Sequence, residues 1–175
     1  MKVLPKKEFR ELAESQRHSH IDSMRGFIDK YTYEPVVMEG AKHRTILHEL
    51  GHEKAGHLPK AVKLYGGGRK NILEMKAPWT VMVDDEIEAE LYRFEIMGKR
   101  ITSRVGLAAI MVLLAEGLEP NRAISLVIAR MRNYGIETFP MEEQDLISIL
   151  GSLGWRVAAL RLEPDFYELY EDYEY

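Results

Sequence analysis

Five consecutive residues, His48-Glu49-Leu50-Gly51-His52, combine side chains that can hold a metal and move a proton. On a helix, positions i and i+4 lie one turn apart on the same face, so His48 and His52 would point their rings the same way. Two imidazoles so placed can share one tetrahedral zinc ion. Glu49 is turned about 100° from His48 by the 3.6-residue period, which sets its carboxylate beside the metal rather than on it. A water on such a zinc has its pKa lowered toward ~7, within reach of a nearby carboxylate acting as base. The run therefore supplies two ligands and a general base for hydrolysis.

A catalytic zinc site usually takes three protein ligands and keeps one position open. The chain has no cysteine, so the third must come from His, Asp or Glu. The segment Asp84-Asp85-Glu86-Ile87-Glu88-Ala89-Glu90-Leu91-Tyr92 offers several carboxylates. Its apolar stripe is Ile87, Leu91 and Phe94. At 100° per residue Glu88 flanks that stripe with Asp84 and Glu95, Glu86 points away, and Glu90 falls on the opposite flank. Glu88 is the expected third ligand, and Glu86 and Glu90 are expected on a solvated face. His57 is the alternative ligand if the helix breaks at Gly56 and the chain swings back. Otherwise it is a surface residue or a partner behind the ligands. Tyr65, Tyr92 and His57 are candidates to stabilise an oxyanion, and packing is the competing role for each tyrosine. Gly51 reads either as a tolerated helix glycine or as a place where another backbone approaches.

These residues resemble those of the gluzincin metallopeptidases, and more narrowly the ImmA/IrrE family of small metallo-endopeptidases. That family carries His-Glu-x-Gly-His on one helix. A later helix has Glu-Ala, an aromatic four residues after the Glu, and a Leu-Leu pair. Here Glu88-Ala89, Tyr92 and Ile96-Met97 fill those positions. Gly56 stands where the family often has a histidine, and Lys99 where it often has a proline. The resemblance covers residues 36 to 100. It implies zinc held by His48, His52 and Glu88, with Glu49 as catalytic base. It also implies a peptide or protein substrate, often a regulatory protein such as a repressor. The competing expectation is a non-catalytic helical binding or regulatory protein whose metal, if any, is structural.

The elements that must position these groups follow from pattern. Lys6 to Tyr31 reads as a helix, with Phe9, Leu12, Ile21, Met24, Phe27 and Ile28 mostly at helical spacings. Tyr31 to Met38 is rich in strand formers, and Pro35 demotes it to an edge or interrupted strand. Ala41 to Ala55 is the motif helix, ended by Gly56 and Pro59. Residues 57 to 79 read as a long irregular stretch holding Gly66-Gly67-Gly68 and a basic excess, a mobile lid or a solvated loop. Asp84 to Gly98 is a helix with acids in its first turn. Thr102 or Ser103 caps an apolar helix to about Glu116. Asn121 to Asn133 is a further helix, a bundle member in preference to a DNA-reading helix. Met141 to about Leu160 reads as the last helix, before an acidic, tyrosine-rich tail over 163–175.

The fold expected is mainly helical α+β: a zincin-like active-site helix beside a small sheet, followed by a C-terminal helical bundle. At 175 residues one domain is expected, with a zinc-peptidase-like core over 36–100, a helical portion over 101–162 and the tail. The formal net charge of −4 gives no support to nucleic-acid binding. The longest apolar stretch, Val105 to Ala115, is far short of the ~20 residues that span a bilayer. The first residues carry no apolar segment of the secretory type, so a cytoplasmic protein is expected.

Overall fold

The computed structural model describes residues 1–18, 21, 24–66, 72–73 and 75–136. The expected helix over 141–160, the acidic tail over 163–175 and the basic stretch from 67 to 71 lie outside those residues.

The architecture is mainly helical α+β, with one small mixed sheet. Strand β1 (Lys2–Leu4) runs parallel to β3 (Pro35–Met38), and β2 (Gly26–Ile28) pairs antiparallel with β3, giving the order β1-β3-β2. Pro35 makes an edge or interrupted strand the expectation for 31–38, but β3 is the central strand and starts only at Pro35. Pro35 is its first residue, a position at which a missing N–H is tolerated. Val36 and Val37 are both buried, as a strand covered on two faces requires. Alternation sends Val36 and its partner Phe27 to one face, where they pack with Phe9 and Ala13. Val37 and its partner Gly26 turn to the other face.

Phe9 and Ala13 belong to helix α1 (Lys6–Ser15), which is much shorter than the expected helix over 6–31. The helix stops because Arg17 takes a left-handed backbone conformation, φ 53°. The buried Gln16 then fixes the turn: its Oε1 accepts the N–H of Lys30 at 2.8 Å, and its carbonyl accepts Lys30 Nζ at 2.7 Å. Phe27 and Ile28, which fit a helical spacing, also fit a strand, and the sheet claims them. Asp29 closes β2 by accepting the N–H groups of Tyr31 and Thr32, which turns the chain toward β3.

Helix α2 (His43–Ala55) carries the motif and ends at Gly56, whose φ of +66° is costly for any other residue. The same glycine starts α3 (His57–Tyr65), which occupies the first part of the stretch expected to be irregular. Pro59 sits in its first turn, where a missing N–H breaks no helical bond.

Helix α4 (Trp79–Ile96) begins five residues before the expected start. Acids were read as a first-turn signal there, but they stand in the helix interior and serve the site described below. Thr102 precedes a short 3-10 turn (Ser103–Gly106), its hydroxyl accepting the Arg104 N–H. Helices α5 (Leu107–Ala115) and α6 (Pro120–Asn133) follow. Val83, Ile87 and Phe94 of α4 pack with Ile110 and Leu113 of α5 and with Ala123, Val127 and Met131 of α6. This apolar core accounts for α6 as a bundle helix. Among the described residues no helix is long and apolar enough to cross a membrane.

Candidate metal centre

Helix α4 is buried on two sides. One stripe, Val83, Ile87 and Phe94, faces the bundle. A second, Glu86, Ala89, Glu90 and Arg93, has the i, i+3, i+4, i+7 spacing of one helix face. Its first three members meet α2. Ala89, Glu90 and Arg93 are all at most 3 % exposed. The helices come together at a residue without a side chain: a Cβ on Gly51 would lie 2.8 Å from both Cα and the carbonyl oxygen of Ala89. Of the two readings of Gly51, close backbone approach is the one the structure contains.

That approach brings three donor groups together: His48, His52 and Glu86. His48 Nε2 and His52 Nε2 lie 3.1 Å apart. Glu86 sets one oxygen 3.2 Å from His48 Nε2 and the other 3.4 Å from His52 Nε2. A tetrahedral zinc with bonds of about 2.0–2.1 Å has ligand atoms about 3.3 Å apart along each edge. The two nitrogens are spaced about as ligands of one ion are, each has a Glu86 oxygen at a similar distance, and two imidazoles with a carboxylate are a donor set that zinc accepts. The chain's residues fit the ion.

The carboxylate in this group is Glu86, not Glu88. The expectation that Glu86 points away took the apolar stripe as the only buried side of α4. The second, polar stripe was legible in the spacing of Glu86, Ala89, Glu90 and Arg93, but it reads as a solvated face unless the neighbouring helix is known. Glu90 is likewise not solvated. It accepts from His48 Nδ1 at 2.7 Å and from Arg93 at 2.6 Å. A carboxylate has only acceptors, so His48 Nδ1 carries a hydrogen whatever the charge of the ring, and Nε2 turns toward Glu86 and His52. A partner on the far nitrogen that fixes the tautomer is the usual support of a metal-binding histidine.

Glu88 is 40 % exposed in its side chain and lies behind the group, where it meets His57 and Tyr134. Gly56 turns the chain so that His57 comes back to His52, with the two Nδ1 atoms 2.9 Å apart. His57 is buried, with Nδ1 toward His52 and Nε2 toward Glu88. Tyr134, just past α6, carried no signal in the sequence, being 46 residues from its partner. Tyr65 ends α3 in an exposed position.

The electrostatics favour a cation. Burial works against charge on Glu86, but His52 and His48 outweigh it and hold the carboxyl well below the usual carboxylate range. Burial also opposes charge on His48, and the hydrogen bonds to Glu86 and Glu90 overcome it, raising its pKa well above the ordinary value. In the metal-free chain a proton thus takes the place where a positive charge is wanted. Asp85 is pushed up to about 7, mainly by burial and then by Glu86, Glu88 and Asp84, with His52 opposing.

Glu49 is 8 % exposed and its carboxyl faces the sheet. A Cβ on Gly26 would lie 2.7 Å from its Cγ and 2.8 Å from its Oε1, so the absent side chain of Gly26 makes room for it. Burial raises the Glu49 pKa, with His48 and His52 opposing. No family model, curated protein or solved structure matches the chain.

Proposed function

We propose that this protein is a zinc-dependent hydrolase of peptide bonds, a metallo-endopeptidase of the ImmA/IrrE kind working in the cytoplasm. The observation that carries this reading is the cluster of His48 Nε2 and His52 Nε2, 3.1 Å apart, with one oxygen of the Glu86 carboxylate 3.2 Å from the first and the other 3.4 Å from the second. His48, His52 and Glu86 would hold the ion. Bound zinc supplies Lewis acidity, polarising a scissile carbonyl and lowering the pKa of water. Glu49, next to a ligand and with its pKa raised by burial, is the group to accept a proton on its carboxylate and return it to the leaving amine.

A peptide substrate is supported by the strand beside Glu49. Arg25 accepts from Met38 and Asp29 donates to Glu34 across the β2–β3 ladder. Antiparallel alternation then turns the N–H and C=O groups of Gly26 and Ile28 to the other side, away from β3. An extended peptide can add to that edge and bring its own carbonyls toward Glu49. A protein substrate, including a regulatory protein, is the class this edge would take.

The test joins metal analysis to hydrolysis. Purified wild type is expected to hold one zinc and to cleave a protein or peptide library. Glu49→Gln is expected to keep the zinc and lose cleavage, and Glu86→Ala to lose the zinc. Cleavage retained by Glu49→Gln would overturn the catalytic assignment. Zinc bound without any cleavage would move the reading to a structural metal in a binding protein.

A further inference from the structure

The hydrogen-bond chain behind His52 has a direction, and chemistry fixes it. Tyr134 donates its hydroxyl to Glu88 Oε1 at 2.9 Å. The other oxygen, Oε2, lies 2.9 Å from His57 Nε2. A carboxylate can only accept, so His57 Nε2 carries the hydrogen. A neutral His57 ring then presents its lone pair at Nδ1, 2.9 Å from His52 Nδ1. Two lone pairs cannot face each other at that distance, so His52 carries its hydrogen on Nδ1. Its Nε2 is left with a lone pair 3.1 Å from His48 Nε2; the same rule puts a hydrogen on that His48 nitrogen in the metal-free chain, which an incoming ion replaces.

We propose that Glu88 and Tyr134, acting through His57, are positioning residues that set the ring tautomer of His52 and thereby prepare its Nε2 to bind metal. This rests on the metal reading given above and extends it to residues far from the motif. His48 receives the same instruction directly from Glu90. His52 receives it through an intermediate ring, because Gly56 places His57 between it and the carboxylate. Tyr134 orients that carboxylate from the end of α6, so the helical portion after residue 101 takes part in the site. Burial of His57, at 5 % exposure, keeps water from replacing the Glu88 contact.

The experiment uses the full chain and two variants, Glu88→Gln and Tyr134→Phe. In Glu88→Gln the Tyr134 hydroxyl donates to the amide oxygen, which leaves the amide NH2 facing His57 Nε2. The relay then runs backward, and His52 acquires its hydrogen on Nε2. Long-range proton–nitrogen NMR of the metal-free proteins reads the tautomer directly, and competition with a chelator reads zinc affinity. Wild-type His52 is expected as the Nδ1–H form and Glu88→Gln as the Nε2–H form. Zinc affinity is expected to fall about 10–100-fold in Glu88→Gln, and in the same direction but less in Tyr134→Phe, whose near-identical shape guards against misfolding. A wild-type Nε2–H tautomer, an unchanged tautomer in Glu88→Gln, or unchanged zinc affinity in both variants would overturn the proposal while leaving the metal reading standing; Tyr134→Phe keeps the carboxylate and is expected to keep the wild-type tautomer. A wild type that takes up no zinc would remove the metal reading, and the tautomer spectra alone would then decide the relay.

Discussion

Gly51 and Ala89 are in backbone contact: a Cβ at residue 51 would meet Ala89 Cα and its carbonyl oxygen, each at 2.8 Å. Both partners are backbone atoms and cannot rotate aside. Gly51→Ala gains about 1 kcal/mol in helix propensity, but overpacking costs about 1–3 kcal/mol and here has no soft outlet. The variant is expected to be less stable in urea unfolding and to bind zinc more weakly, since Glu86 rides on the helix that is pushed away. Equal stability with unchanged zinc affinity would show that α2 and α4 have slack at this crossing.

Gly26→Ala is a different kind of clash. Its Cβ would strike the Glu49 side chain, not backbone. The carboxyl must shift while the three ligand groups are left in place. Zinc affinity is therefore expected to match wild type, with the hydrolytic rate down about 10²-fold, the scale of a misplaced catalytic group. Full activity in this variant would separate Glu49 from the reaction.

Much of this site was legible in the sequence, and the limits have physical causes. The motif helix and its end at Gly56 follow from local pattern, because capping and helical period act within a few residues. The identity of the third carboxylate did not. Glu86, Glu88 and Glu90 are chemically equal on one helix, and only the neighbour that α4 crosses decides among them. The strand at 26–28 was hidden because Phe27 and Ile28 satisfy a helical spacing until Arg17 breaks the helix. Tyr134 left no trace, since its partner is brought to it only by the packing of α6 on α4.

Glu90 and Arg93 form an ion pair in which both side chains are 3 % exposed. Removing Glu90 takes away a carboxylate that both Arg93 and His48 use, and breaking a buried pair costs about 3–5 kcal/mol. Glu90→Ala is expected to lose stability on that scale in denaturant unfolding of the metal-free chain. Glu88→Ala, whose side chain is far more exposed, is expected to lose much less. Equal losses would contradict the burial assigned to Glu90.

Acid sensitivity has a source away from the metal centre. His18 packs on the Phe27 ring, with centroids 4.6 Å apart. Burial, helped by Lys30 and opposed by Asp29, lowers its pKa from 6.5 to about 4. The folded state thus resists a proton that the unfolded chain accepts. This contribution is fully present above pH 6.5 and is lost as pH falls toward 4, amounting to at most about 3 kcal/mol. His18→Phe is expected to flatten the stability profile across that window. A wild-type slope retained by the variant would place the sensitivity elsewhere.

Helix α4 is shared property. The apolar bundle holds one side of it, and the donors of α2 meet the other. Opening either side exposes surface on the same helix, so the two halves are expected to melt as one cooperative unit. Amide hydrogens along α4 should then exchange only through global unfolding, and an ion captured between α2 and α4 should slow exchange in α5 and α6, which it never touches.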